Sequence, residues 1–334
     1  MNITVLGDGA WGTALAILAQ SKGHDVTLWG YFPDYIEQMK EKRENSQFLP
    51  GIILPDELNM TSDIADAVEN AEIIIIAIPV KYMAGILQQK ELSAIPDNAI
   101  LVNVAKGIDT KTLKSPSDII KESLGNVNYV AMSGPSHAEE VAEKMPTAVV
   151  AACAEEQIAE QVQQALSTDF FRIYTTSDVV GVELGGALKN VFALAAGICD
   201  GMEFGDNSKA ALITRGIAEM ARLGKALGGD PSTFAGLSGV GDLIVTCMSR
   251  HSRNRYVGEA LGSGQTLPDI ESSMGLVVAE GVTTAKSVHQ LAEEKAVSTP
   301  VIDEVYQVLY KGKEPAKAAH DLMTREPKQE TPEV

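Results

Sequence analysis

Residues 3–16 read Ile3-Thr4-Val5-Leu6-Gly7-Asp8-Gly9-Ala10-Trp11-Gly12-Thr13-Ala14-Leu15-Ala16, a short apolar run joined to a helix-forming run through Gly-x-Gly-x-x-Gly. The pattern predicts a strand, a tight glycine turn and a helix. Gly7 can adopt the backbone angles of the turn, Gly9 leaves room for a pyrophosphate to approach the main chain, and Gly12 lets the helix pack close to the strand. Phosphates would then meet the free N–H groups of the helix N-terminus. A second strand follows at Asp25 to Trp29. That strand–helix–strand context separates a dinucleotide-binding loop from an ordinary glycine turn.

Outward from this stretch the same rhythm continues to about Ile173. β-rich runs at Val26–Trp29, Ile73–Ile78, Ile100–Val104, Tyr129–Met132 and Ala148–Ala152 alternate with helical ones, as in a parallel sheet with helices on both faces. Ile73–Ile78 is continuously apolar, the mark of a central strand buried on both sides. After Thr176 the texture becomes helical, with long alanine- and leucine-rich segments at Val179–Asp200 and Lys209–Leu227 and shorter ones through Leu322. The expectation is an α/β chain: a Rossmann-type doubly wound parallel sheet over 1–180, an all-helical domain over 181–323, and a frayed tail over 324–334.

At 334 residues the chain is too long for one ordinary core. Its unbroken apolar runs, such as Ile73–Ile78, are far shorter than the ~20 residues of a membrane span, so no integral membrane segment is expected. A chain without a secretory leader and a cytoplasmic location are expected. Cys153, Cys199 and Cys247 are widely spaced, so buried reduced thiols are expected rather than a disulfide framework or a metal site. Twenty-seven basic against 45 acidic residues give a net charge of −18, which argues against nucleic acid and anionic membrane as partners. Cations that bind a phosphate must then be gathered locally.

The second half holds such groups. Gly185-Gly186-Ala187-Leu188-Lys189-Asn190-Val191 places a lysine and an asparagine in an apolar helix. A desolvated lysine becomes a better proton donor than its ordinary ~10.4 would allow, whereas one that snorkels past its apolar neighbours is only a surface charge. Asp242 stands among glycines in Gly239-Val240-Gly241-Asp242, with Thr246 four residues on along the same helical face. A plain helix cap is the other reading of Asp242. Ser252-Arg253-Asn254-Arg255 offers a hydroxyl, planar guanidinium donors and an amide, the groups that an oxyanion requires. Arg255 on its own reads as a solvated basic side chain.

Taken with FLPG at 48–51, AKGID at 105–109, SGPSHAEEV at 133–141 and ALITRGIAEM at 211–220, these motifs resemble, from Asn2 to about Leu322, the bacterial NAD(P)-dependent sn-glycerol-3-phosphate dehydrogenase family. The resemblance implies hydride transfer between NAD(P)H and dihydroxyacetone phosphate, giving sn-glycerol 3-phosphate for phospholipid synthesis, and a homodimer. It makes Lys189 the catalytic acid/base. Lys106, Gly134, Ser136, Lys189, Asp242, Ser252, Arg253 and Asn254 would line the substrate. Gly7, Gly9, Trp11, Gly12, Tyr31, Lys106, Ala138, Arg253, Val278 and Glu280 would contact cofactor; no metal is implied, and His137 is left as a packing or surface residue. Two ammonium groups near each other disfavour each other's charge, and an aspartate between them opposes that.

The NAD(P)H form is open. NAD-specific sites place an acid at the end of the second strand for the ribose hydroxyls, and Trp29-Gly30-Tyr31-Phe32 has none. No arginine for a 2′-phosphate occurs at 30–33 either, although the family often carries a basic residue there. The missing acid tilts the choice toward NADPH, with NADH possible and Tyr31 available to stack on adenine. Two competing readings are a related hydroxy-acid dehydrogenase, whose substrate carries a carboxylate in place of the phosphate, and a non-catalytic NAD(P)H sensor, which would lack Lys106, Lys189 or Asp242. All three residues are present.

Overall fold

The computed structural model describes residues 1–274, 279–327 and 329–330. The chain forms two compact units, the first comprising Met1–Ala105 with Lys114–Val179 and the second Lys106–Leu113 with Val180–Val334. Strands of the first unit are β1 (Asn2–Leu6), β2 (Asp25–Trp29), β3 (Glu44–Asn45), β4 (Leu49–Ile53), β5 (Asn59–Thr61), β6 (Ile73–Ile76), β7 (Ile100–Asn103), β8 (Asn128–Ser133), β9 (Thr147–Ala152) and β10 (Phe171–Thr176). Eight of them make one sheet in the order β10-β9-β8-β7-β6-β1-β2-β5, while β3 and β4 pair separately and antiparallel.

The buried strands show why the sheet has two covered faces. In β6, Ile73 and Ile75 enter one apolar core while Ile74 and Ile76 enter another. All four are fully buried, as the period-two alternation of a strand between two helical layers demands. On either side of β1 the order runs to β2 and to β6. The carboxyl end of β1 is therefore a topological switch point, where open α/β sheets bind ligands, and the glycine loop leaves the sheet there.

The sheet's far side carries one reversal. β9 runs antiparallel to β8, and β10 is parallel to β9, so the sheet is parallel-dominated but not uniformly parallel. The helix between β8 and β9, Ala138–Ala142, has five residues and rises only about 7.5 Å. A six-residue strand spans roughly 20 Å, so this connection is too short a helix to carry the chain back for another parallel strand.

The second unit is built on the helix Val179–Gly201, whose residues 181–198 are all buried. This helix is long and apolar enough to cross a membrane by length and composition, but 83% of the apolar window is buried inside the fold. It is a core helix. Phe192, Met220, Leu223, Phe234, Val257 and Ala285 are among the residues packed into its core. The helix Arg253–Gly262 crosses it closely, since a Cβ on Gly258 would collide with the carbonyl oxygen of Leu194 and one on Gly197 with that of Arg255. Of the cysteines, Cys153 and Cys247 are buried thiols and Cys199 is only half-buried.

Candidate active site

In the first unit the glycine loop has the geometry that its sequence requires. Gly7 has φ +121° and a Cβ there would stand 2.8 Å from the carbonyl oxygen of Ala77. A Cβ on Gly12 would run into the carbonyl oxygen of Gly7, so strand and helix approach more closely than any side chain permits. A Cβ on Gly9, by contrast, would meet nothing within 4 Å. That side of the loop is open, and the N-terminus of the helix Ala10–Ser21 follows it. The residues present therefore fit a pyrophosphate, with small donors of the backbone in place of bulk.

Ala138, the first residue of the Ala138–Ala142 helix, packs with Ala10, Ala14 and Leu49 in one small apolar cluster that Trp11 and Phe48 flank. The glycine-loop helix, the FLPG strand and the SGPSHA segment are thus neighbours. Trp11 is half-buried and its ring lies 6.4 Å from that of Phe171, which gives it a packing role as well. Gly134 is buried at φ +145°, where a Cβ would stand 2.9 Å from Cα of Val149, and Ser136 donates to its carbonyl oxygen at 3.0 Å. His137 is the residue that precedes the helix, its carbonyl oxygen accepting from Val141. Tyr31 is 57% exposed and stands edge-on to both Trp29 and Phe32.

The second unit holds the charged cluster. Lys189 is 7% exposed and Asp242 only 1%. The Lys189 Nζ donates to Oδ1 of Asp242 at 2.8 Å and to Oγ1 of Thr246 at 2.7 Å, while Lys106 Nζ donates to the other carboxylate oxygen, Oδ2, at 2.7 Å. Lys189 therefore does not snorkel to the surface. Asp242 is not a cap either: it is the first residue of the helix Asp242–Met248, directly after the π-turn Leu237–Gly241, and its carboxylate faces the two lysines. Thr246 donates back to the main-chain oxygen of Asp242 at 2.6 Å. Two of the three Lys189 N–H donors are thus committed among the described residues.

Electrostatics follow from this geometry. Burial pushes the Lys106 ammonium down to about 8, with the charge of Lys189 acting in the same direction and the Asp242 carboxylate opposing both. Burial alone would raise Asp242, but the charges and hydrogen bonds of Lys106 and Lys189 outweigh it and hold the carboxyl below the usual carboxylate range. Asn190 anchors the frame. Its Nδ2 donates to the carbonyl oxygen of Lys106 at 3.1 Å, its Oδ1 accepts from Asn254 Nδ2 at 2.9 Å, and Asn254 Oδ1 accepts from the N–H of Gly281 at 2.9 Å. Asn190 and Thr246 belong to the same hydrogen-bonded cluster, and the sequence signals each as a polar side chain on an apolar face.

Ser252 is buried and caps the Arg253–Gly262 helix by accepting from the N–H of Arg255 at 3.2 Å. Arg253, in the first turn, is exposed. Arg255 departs from the solvated reading: it donates to Asp200 at 2.7 Å and to the carbonyl oxygen of Ser249 at 3.1 Å, and pairs with Glu259. Glu280 begins the helix Glu280–Glu294 and favours the charged form of Lys106. Val278 lies outside the described residues. Asp8, inside the glycine motif, was passed over in the sequence; its carboxyl lies against Gly30, and burial raises its pKa while its own backbone N–H lowers it.

Comparison with known proteins places the two units in one family. Residues 2–159 match the family described as NAD-dependent glycerol-3-phosphate dehydrogenase N-terminus, and residues 178–320 match the corresponding C-terminus. The chain is 50% identical to glycerol-3-phosphate dehydrogenase [NAD(P)+] of Citrifermentans bemidjiense over 98% of both chains. Its counterpart in Chlorobium limicola is 47% identical over 99% of both. The crystal structure of glycerol-3-phosphate dehydrogenase from Coxiella burnetii superposes with a TM-score of 0.93 at 35% identity, covering 97% of this chain and 99% of that one. With both halves matched and full-length relatives at this identity, the chain belongs to the NAD-dependent glycerol-3-phosphate dehydrogenase family.

Proposed function

We propose that the chain is an NAD(P)-dependent sn-glycerol-3-phosphate dehydrogenase that interconverts dihydroxyacetone phosphate and sn-glycerol 3-phosphate, with Lys189 as the acid/base. The observation that carries this reading is the buried Lys189–Asp242–Lys106 bridge with one Lys189 N–H uncommitted among the described residues. A bound nicotinamide supplies or accepts the hydride at C2 of the substrate. As negative charge develops on the C2 oxygen, the uncommitted N–H of Lys189 hydrogen-bonds it and delivers the proton; in the reverse direction the neutral amine takes the hydroxyl proton. Asp242 holds both ammonium groups in place, and Thr246 fixes the direction of Lys189. The Asp242 carboxylate is shared between two ammonium groups and so offsets only one of their charges, with Glu280 adding a further negative charge that acts on Lys106.

Arg253, Ser252 and Asn254 are assigned to the substrate phosphate, with Gly134 and Ser136 as further substrate contacts and Trp11, Tyr31, Ala138, Val278 and Glu280 as cofactor contacts. This assignment rests on the family's motifs at these positions and on the exposure of Arg253. The proposed setting is a cytoplasmic homodimer, which light scattering on the purified protein would test. For the activity itself, dihydroxyacetone phosphate should drive the loss of NADH or NADPH absorbance, and Lys189→Ala should reduce kcat by about 10²–10⁴-fold with nucleotide affinity retained. A variant with undiminished kcat would remove Lys189 from the mechanism.

A further inference from the structure

The end of β2 carries no acid, yet a carboxylate lies beside it. A Cβ on Gly30 would come within 2.5 Å of Oδ2 of Asp8 and 2.7 Å of its Cγ. The space in which a side chain of residue 30 would begin is filled by this carboxyl together with Cδ1 of Ile36, 2.6 Å from the same point.

The main chain that carries this carboxyl is tied down. The main-chain oxygen of Asp8 accepts from Asn45 Nδ2 at 2.7 Å and from Thr13 Oγ1 at 3.4 Å, and Asn45 accepts from the hydroxyl of Tyr35 at 2.6 Å. Its Oδ2 is buried without a hydrogen-bond partner among the described residues. A buried acceptor left unpaired is costly and calls for a donor. Neither lysine nor arginine occurs at residues 30–33 to neutralise it or to receive a phosphate.

We propose that Asp8 reads the adenosine ribose of the dinucleotide: its carboxylate accepts a free 2′-hydroxyl and repels a 2′-phosphate, so the chain favours NADH over NADPH. Asp8 thereby takes the place of the acid that other folds of this type carry at the end of the second strand. This reverses the tilt toward NADPH drawn from the missing acid, and it rests on the first unit being a dinucleotide site. The same charge makes discrimination depend on ionic strength, since phosphate–carboxylate repulsion is screened by salt.

The test is a fluorescence titration of the full-length protein with NADH and with NADPH, without substrate, on wild type, Asp8→Asn and Asp8→Ala, each checked for native circular dichroism. The wild type should bind NADH at least about tenfold more tightly than NADPH. Asp8→Asn, which keeps the size and removes the charge, should shrink that ratio about tenfold or more, chiefly by gaining NADPH affinity. Asp8→Ala should do the same with a further loss for NADH. Equal affinities in the wild type, or a ratio unchanged in both variants, would overturn the role of Asp8 and leave the dinucleotide site standing. Failure of the wild type to bind either nucleotide would overturn both.

Discussion

Lys106 illustrates what a single residue contributes beyond its identity. Its ammonium, held by Asp242 and depressed to about 8 by burial, carries charge below that pH and loses it above. If this charge helps to bind an anionic substrate, kcat/KM for dihydroxyacetone phosphate should fall as pH rises through about 8 in the free enzyme. Lys106→Arg, charged throughout the range, should remove that alkaline limb, which a pH profile of the two proteins would show. Arg253 supplies the second residue-scale expectation. Arg253→Ala should weaken dihydroxyacetone phosphate far more than cofactor, losing charge-assisted bonds worth roughly 1.5–3 kcal/mol. Arg253→Lys should fall between the two, since an ammonium restores charge but not the planar donor fork. Equal losses toward dihydroxyacetone, which has no phosphate, would reassign Arg253 to folding or to cofactor.

At the scale of elements, the helix Pro300–Lys311 is closed at its start by an acid from a different helix. Glu219, 2% exposed, accepts from the N–H of Val301 at 2.9 Å and of Ile302 at 3.3 Å. Burial nevertheless pushes its carboxyl up to about 7, the backbone donors opposing the shift. A carboxyl raised on folding binds more protons in the native than in the unfolded state between the two pKa values, so stability falls as pH rises from about 4.5 to about 7 and is level beyond. The loss is on the order of 3 kcal/mol. Glu219→Gln retains an acceptor for the helix N-terminus and cannot ionise, so its urea-unfolding free energy should lack this slope. A slope equal to that of the wild type would place the titration elsewhere. Nothing in the local sequence of Pro300–Lys311 indicated this closure, because the partner is 82 residues away.

For the whole molecule, ligand binding and folding are linked. NADH at one hundred times its Kd should stabilise the native state by about 2.7 kcal/mol. Gly9→Val should abolish that stabilisation without unfolding the ligand-free protein, because a Cβ at Gly9 has open space around it. Thermal melts with and without NADH compare the two proteins directly, and an undiminished shift in Gly9→Val would mean that the pyrophosphate does not approach the loop at this residue.

Much of this molecule was legible along the chain because its signals are local. The glycine spacing at 7–12, the unbroken isoleucines of β6 and the helical texture after Thr176 each depend on neighbours in sequence, and strand, turn and helix form accordingly. The motifs also pointed to Lys106, Lys189, Asp242 and Asn254 one by one. Their union was not legible. Lys106 leaves the sheet after β7 and belongs with the helical unit; whether Lys189 snorkels and whether Asp242 caps depend on partners 53 residues apart. The reversal at β8–β9, the Asn190–Asn254 frame and the Asp8 carboxyl against Gly30 likewise depend on residues brought together from distant positions. Local propensity and periodicity determine which element a segment forms, whereas burial, charge pairing and the direction of a side chain are set only when elements pack, since each depends on what removes water from the group and what replaces it.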